Sequence, residues 1–394
     1  MTAPEADANA LMGLYAQPDF VLARGAGCRV WDEDGNEYLD FTAGIAVTAL
    51  GHGASVVNEA IQEALSKGLI HTSNLFRTRP AMELAQLLVE RSFPGKVFFC
   101  NSGAEANEAA LKFSRRWAGQ GGDPSRCEIL AFRGAFHGRL FGTLAVTDRE
   151  AYQAPFRPLM PGARFVDVGD LAGVEEALSS GRIAAVFIEP IQGEGGIRPV
   201  PAPFLRELRT LCDRHGALLV FDEIQCGLGR TGKLFAFQHA GVLPDMVTLA
   251  KPLAGGLPMG AVIAVDRVAG AMKPGDHGTT FGGGPLVASA ALAVTRCVSD
   301  PAFLDRVSAL GEHLVRGLES LRSRADAVKE VRGLGLMQGL AIDGPAGPVV
   351  SRARDLGLLV VSAGPDVVRL VPPLVVTEQE IDEGLALLEQ ALVS

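Results

Sequence analysis

The sequence predicts an α/β fold followed by a smaller α+β unit. Three observations carry that prediction. Apolar runs of strand length, at 97–100, 129–132, 184–188, 217–221 and 246–249, stop at polar or Gly-rich turns. Helical spacing intervenes, as where Ala106, Ala109, Ala110, Phe113 and Trp117 fall on one face. Beyond residue 331 the order becomes mixed, with short strands and a closing helix. At roughly 150 residues per domain, 394 residues make two or three domains with ample core.

Composition narrows the class. Hydrophobic residues at 48% and charged residues at 21% fit a soluble globular enzyme. A net charge of −9 without a basic cluster argues against nucleic acid and membrane as partners. No apolar run reaches the ~18 residues of a membrane helix. The start of the chain is acidic and lacks the basic opening of a signal or transit peptide, so the cytoplasm is the expected location. The six cysteines form no C-x-x-C pair, which predicts free thiols and no metal site. The 47 glycines lie in short punctuating groups, which marks turns and ligand loops.

Taken in order, residues 1–25 read as an arm. A hairpin follows at 28–39, turning on Asp34, Gly35 and Asn36. Helical periodicity covers 56–65, and His71 reads as a capping or packing residue. The strand 97–100 runs into Asn101-Ser102-Gly103-Ala104-Glu105 and then a helix, with capping-box spacing between Ser102 and Glu105. Such a helix N-terminus either is simply capped or holds an anion, because both uses draw on the same free N–H groups. After 129–132 come Phe136 and Arg139. An aromatic beside a Gly turn can lie flat on a ring, and an Arg can fork onto a carboxylate or pair at the surface. The strand 184–188 ends at Glu189, expected to orient loops, with Glu194 in the Gly-rich loop beyond. A strand is expected at 261–265. Residues 285–297 are helical and open a long helix, and 302–322 continue that periodicity. The stretch 331–337 turns into a strand, 357–361 and 367–370 are further strands, and 378–392 is a helix. No internal repeat occurs.

The chemistry concentrates between 217 and 260. One apolar run ends at Asp222 and Glu223, and another at Ala250-Lys251-Pro252. The ends of strands in open α/β sheets are where ligands bind. Pro252 and the pair Gly255-Gly256 argue that a loop, not a helix, presents Lys251. A buried lysine becomes a nucleophilic amine, and a buried carboxylate needs a cationic partner. Pyridoxal phosphate meets both needs, with an aldehyde for the lysine and a protonated ring nitrogen for the acid. An ordinary Lys–Asp ion pair fits the same spacing. Residues 227–233 match the first part of a phosphate-binding loop of nucleotide enzymes, but Leu234 stands where Ser or Thr is needed.

The segment FDEIQCGLGRTGKLFAFQHAGVLPDMVTLAKPLAGGLPMG resembles the cofactor segment of class III aminotransferases of the ornithine/acetylornithine type. NSGAEANEAALK resembles their phosphate cup, FHGR their ring-stacking and carboxylate-binding pair, and HGTTFGG their loop across a dimer interface. One departure is that GHGAS stands where the family has G-H-x-H-P, after Thr48 in place of Asn. The resemblance spans about residues 20–390. It implies that Lys251 forms the Schiff base and Asp222 holds the ring nitrogen. Gln225 then bonds the phenolic oxygen, Gly103 and Ala104 bind the phosphate, and Phe136 stacks on the ring. Thr280 reaches the partner's phosphate, Thr279 lines the substrate site, and Arg139 and Arg369 bind carboxylates. Glu194 resembles the acid that masks the second of these arginines, and a fixed Glu194–Arg369 bridge is the alternative.

The implied fold is the aspartate-aminotransferase type. Its expected parts are an arm and hairpin at 1–45, a cofactor domain at 46–284 with a mostly parallel sheet, and a small domain at 285–394. The implied reaction moves the terminal amine of N-acetylornithine to 2-oxoglutarate in a cytoplasmic homodimer. Ornithine, succinylornithine, acyl-lysine and 4-aminobutyrate are the alternative donors. An aminomutase on the same fold and a non-catalytic scaffold are more distant alternatives.

Overall fold

In the computed structural model, which describes residues 10–393, a seven-stranded sheet occupies the centre. Its strands are β1 (Lys96–Cys100), β2 (Glu128–Phe132), β3 (Ala163–Val166), β4 (Ile183–Ile188), β5 (Leu218–Asp222), β6 (Met246–Leu249) and β7 (Gly260–Ala264). The order across the sheet is β1-β7-β6-β5-β4-β2-β3. All neighbours are parallel except at β7, which is antiparallel to β1 and β6. Strands β2, β4, β5, β6 and β7 are buried along their whole length, which explains their continuous apolar sequences. Successive side chains alternate between faces. Leu219 and Phe221 join one core cluster, and Leu218 and Val220 join the other. Helix α1 (Gly103–Ala118) covers the second face with Ala106, Ala109, Ala110 and Phe113.

Because β1, β2, β4, β5 and β6 point the same way, one edge of the sheet collects the residues that follow them. These are Gly103, Phe136, Glu189, Asp222 and Lys251. The ladder thereby brings together residues far apart in sequence.

A second, four-stranded sheet contains Val328–Leu334, Met337–Ile342, Val361–Ser362 and Val367–Leu370. The expected single strand after residue 331 is instead a hairpin. Gly335 turns it at φ 58, where an added Cβ would lie 2.6 Å from the Thr231 backbone. The strand expected at 357–361 is split, because Leu358–Leu359 pairs elsewhere. It joins Leu22–Ala26, Arg29–Asp32 and Glu37–Asp40 in a third sheet, with Leu358 opposite Leu39. Leu39 and Phe41 pack in one cluster with Leu314, Leu340 and Leu388.

Two local expectations need correction. The long helix is two helices, Pro285–Val298 and Pro301–Arg322, bent by 69°. Asp300 caps the second by accepting from the Ala302 N–H at 2.8 Å, and Pro301 cannot donate back into the first. Among the described residues no single helix is long and apolar enough to cross a membrane, although this bent pair together meets that length and composition. Second, Lys251–Ala254 forms a single 3-10 turn starting at the lysine itself. Pro252 is tolerated because first-turn N–H groups have no helical acceptor. Near the same site, Ala43, Gly44, Ile45 and Ala46 run through φ values of 47, 64, 64 and 63, a short left-handed turn. The neighbouring Val47 lines the cavity described next.

Candidate active site

A cavity of about 530 Å³ opens at the carboxyl edge of the central sheet. Lys251 and Asp222 both line it, as do Gly103, Ala104, Phe136, Arg139, Glu194 and Gln225. Eight of the residues singled out in the sequence therefore converge on one space.

One end of the cavity is the N-terminus of α1. Ser102 caps the helix, its Oγ accepting from the Glu105 N–H at 3.2 Å. The Glu105 carboxylate turns back to the Asn101 N–H at 2.6 Å, one residue before the cap, so the capping box is offset. The Gly103 and Ala104 N–H groups have no helical acceptor and remain for an anion. The helix start sits tight against its surroundings. A Cβ on Gly103 would lie 2.9 Å from Ile224, and one on Gly138 would lie 2.9 Å from the Ala104 Cβ.

Asp222, the last residue of β5 and 4% exposed, also lines the cavity. Its Oδ2 accepts from Asn107 Nδ2 at 2.7 Å and is paired with His137 Nδ1 at 2.8 Å. Its Oδ1 accepts from the Ile224 N–H at 3.0 Å. His137 is fully buried. Burial pushes its imidazole down, but the Asp222 carboxylate beside it outweighs this and holds it above its usual range.

Lys251 enters from the end of β6 with φ 31, a left-handed conformation that lysine rarely adopts. Among the described residues its amine makes no hydrogen bond or ion pair. Burial lowers it from 10.5 to about 8, Arg369 adds to the lowering, and Glu194 opposes it. The neutral, nucleophilic form of the amine is thereby reached at a far lower pH than for a lysine in water.

The walls are tied together by Glu189. Its two oxygens accept from the Phe136 and Gly193 N–H groups, each at 2.9 Å, joining the aromatic turn to the Gly-rich loop. Burial raises its carboxyl above the ordinary range. Phe136 meets Tyr152 edge-on at 6.5 Å, and the Arg139 guanidinium lies over the Tyr152 ring at 3.9 Å. Arg139 is exposed, within reach of solute.

Arg369 lies behind the cavity on strand Val367–Leu370 and is 2% exposed. It donates to Glu194 Oε1 at 2.5 Å, to Gln225 Oε1 at 3.1 Å and to the Ser362 carbonyl at 3.2 Å. Burial raises the Glu194 carboxyl, but Arg369 more than reverses this and holds it below the usual range. The pair is closed in this structure.

Besides Arg369, two residues stay outside the cavity. Thr279 Oγ1 accepts from Asn101 Nδ2 at 2.8 Å, so it meets the site through Asn101. Thr280 is exposed and does not line the space. Sequence reasoning assigned no role to His137, Asn107 or Ile224. His137 stands inside the FHGR motif, and Asn107 is a polar residue in an Ala-rich helix, which is the signal that was present. Ile224 gave no signal beyond its neighbours.

A sequence profile of the family described as aminotransferase class-III matches residues 14–392. The chain is 48% identical over 392 residues to a mitochondrial acetylornithine aminotransferase of Alnus glutinosa, covering 98% of this chain and 87% of that one. Its fold superposes on the crystal structure of N-acetylornithine aminotransferase from Stenotrophomonas maltophilia with a TM-score of 0.85 and 42% identity, over 96% and 97% of the two chains. It also superposes on an ornithine aminotransferase from Toxoplasma gondii whose active site is partially occupied by pyridoxal phosphate. There the TM-score is 0.92 with 33% identity, over 97% and 91% of the chains.

Proposed function

The chain belongs to the class-III aminotransferase family, whose cofactor is pyridoxal phosphate, and from that premise we propose that it moves the terminal amine of N-acetylornithine to 2-oxoglutarate. The products are N-acetylglutamate semialdehyde and glutamate, a step of arginine synthesis. The observation that carries this reading is that acetylornithine aminotransferases match the chain at 45–48% identity over nearly its full length.

The residues present fit the cofactor. An anion site of free N–H groups, a buried carboxylate and an unpaired lysine amine line the same cavity. When bound, the cofactor supplies an electron sink that lets the bond to hydrogen beside the substrate amine break. Gly103 and Ala104 bind the phosphate through their N–H groups. Asp222 would keep the ring nitrogen protonated, Phe136 would cover one ring face, and Gln225 would donate to the phenolic oxygen. Lys251 Nζ is the amine that would hold the cofactor's aldehyde, and when free it would move the proton to and from the carbon bearing the substrate amine.

Two unlike substrates share the site. N-acetylornithine carries one carboxylate, far from the reacting amine, and 2-oxoglutarate carries a second beside its reacting carbonyl. Arg139 is the permanent clamp and Arg369 the second. With Arg369 closed onto Glu194, an amino acid's α-carboxylate is turned away and the terminal amine enters. With the pair opened, 2-oxoglutarate is admitted. Thr279 borders the substrate site. The functional unit is a homodimer in which Thr280 of one copy reaches the phosphate of the other. Its exposed position is consistent with that, as are the exposed side chains of Leu75, Phe76 and Phe281 nearby. The expected division is an arm and hairpin at 1–45, a cofactor domain at 46–284 and a small domain at 285–394, with the enzyme in the cytoplasm.

Free ornithine is the second reading, favoured by the structural likeness to ornithine aminotransferase. Turnover against a panel of amines, read as glutamate formed, tests both. The expected result is a kcat/KM for N-acetylornithine at least about tenfold above that for ornithine, equivalent to ~1.4 kcal/mol of discrimination. The reverse order overturns the reading in favour of the second.

A further inference from the structure

Asn107 lies in the second turn of α1 and is fully buried, between neighbours Ala106 and Ala109 that are equally buried. Packing alone calls for a small apolar residue there, and a buried amide costs stability unless its hydrogen bonds are made. Both of its polar atoms are paired. Nδ2 donates to the His137 carbonyl at 2.8 Å and to Asp222 Oδ2 at 2.7 Å, and Oδ1 accepts from Thr248 Oγ1 at 2.8 Å.

These contacts allow the amide one orientation. Turned over, its oxygen would face a carboxylate and a carbonyl, three acceptors without a hydrogen. The two acceptors facing Nδ2 set the choice, and the Thr248 hydroxyl, which can turn its proton either way, holds the oxygen end by donating to it. Thr248 is fully buried on β6, directly opposite Asp222 in the parallel register. His137 reaches the same Asp222 oxygen from another loop, but its Nε2 finds no partner among the described residues. The imidazole is therefore fixed at one nitrogen only, whereas Asn107 is fixed at every polar atom.

We propose that Asn107, its amide locked by Thr248, is the positioning residue that aims Asp222 at the ring nitrogen of the cofactor. The proposal rests on the reading of Asp222 given above. It makes α1 a spacer that serves both ends of the cofactor. The first turn presents Gly103 and Ala104 to the phosphate, and the second turn holds the carboxylate at the ring. Losing the Thr248 donor leaves Asn107 Oδ1 unpaired and loosens the amide, so that Asp222 is held firmly only by His137 and the Ile224 N–H.

The test uses holoenzyme loaded with nitrogen-15 pyridoxal phosphate. The ring-nitrogen chemical shift reports its protonation, and equilibrium dialysis gives cofactor affinity. Thr248→Val keeps the volume and removes the donor. It is expected to let the ring nitrogen lose its proton between about pH 6 and about pH 9, where the natural protein retains it. It should also weaken cofactor binding about threefold to tenfold, the range of one buried hydrogen bond. Thr248→Ser should restore both to within about twofold. Asn107→Leu should show the same loss as Thr248→Val or a larger one. An unchanged ring-nitrogen signal in Thr248→Val, with or without a lower melting temperature, overturns the proposal, since packing alone predicts that pattern. Asp222→Asn separates the two levels of the argument. If it releases the ring proton while Thr248→Val does not, only the role of Asn107 fails. If it also retains the proton, the reading of Asp222 fails and the proposal with it.

Discussion

Lys251 owes its chemistry to its surroundings, since an amine in water holds its proton until about pH 10.4. Burial, and then Arg369, lower it to about 8. The neutral form is present above that value and is lost as pH falls through it. Capture of added cofactor by stripped enzyme should therefore speed up with rising pH and level off above about 8, followed by absorbance in a rapid mixer. A midpoint near 10.5 would show that the amine is solvated as in water. Glu194 carries a second residue-scale prediction. If its contact with Arg369 acts as the proposed gate, Glu194→Ala should leave the 2-oxoglutarate half-reaction intact. It should also speed amine loss from glutamate and weaken discrimination for the terminal amine. Arg369→Ala should damage mainly the 2-oxoglutarate step, and Arg139→Ala both. Single-turnover absorbance changes resolve the two halves. Equal losses in both for Glu194→Ala would leave only a fixed structural bridge, as buried pairs often are.

Elements place these residues, and they were legible in the sequence to different degrees. Continuous apolar runs announced β4, β5 and β6, because strands buried on both faces have no polar side to show. The ends of those strands delivered Glu189, Asp222 and Lys251 as expected. The break at Asp300 was less visible, since helical periodicity runs on either side of it and only Pro301 marks the stop. The hairpin at Gly335 was missed for a similar reason: its two strands read as one apolar stretch around a glycine. The left-handed turn at 43–46 has no sequence signature at all, because Ala43, Ile45 and Ala46 are residues that ordinarily avoid positive φ. That turn supplies a prediction. A β-branched residue in this conformation costs roughly 1–2 kcal/mol, and glycine gives back about 0.5–1 kcal/mol through unfolded-state entropy. Ile45→Gly should thus raise folding stability by about 0.5–1 kcal/mol in chemical denaturation. A loss of stability would mean that contacts of the half-exposed Ile45 side chain outweigh the strain.

On the scale of the whole molecule, the prediction concerns assembly. Thr280 lies exposed beside Phe281, which is 65% exposed, and away from the cavity of its own chain. The active species should be a dimer by light scattering, and Thr280→Ala should loosen cofactor retention several-fold without dissociating it. A fully active, cofactor-saturated monomer would contradict this. The third sheet has a further consequence, for the order in which the chain is made. Leu39 finds its parallel neighbour Leu358 only after about 320 more residues have been added, at roughly 5–20 residues per second. For tens of seconds on the ribosome, the hairpin strand Glu37–Asp40 keeps an open edge, and Leu39 and Phe41 lack the core that later encloses them. Nascent chains stopped before residue 350 should bind chaperones through this segment, and chains released beyond the final helix should not.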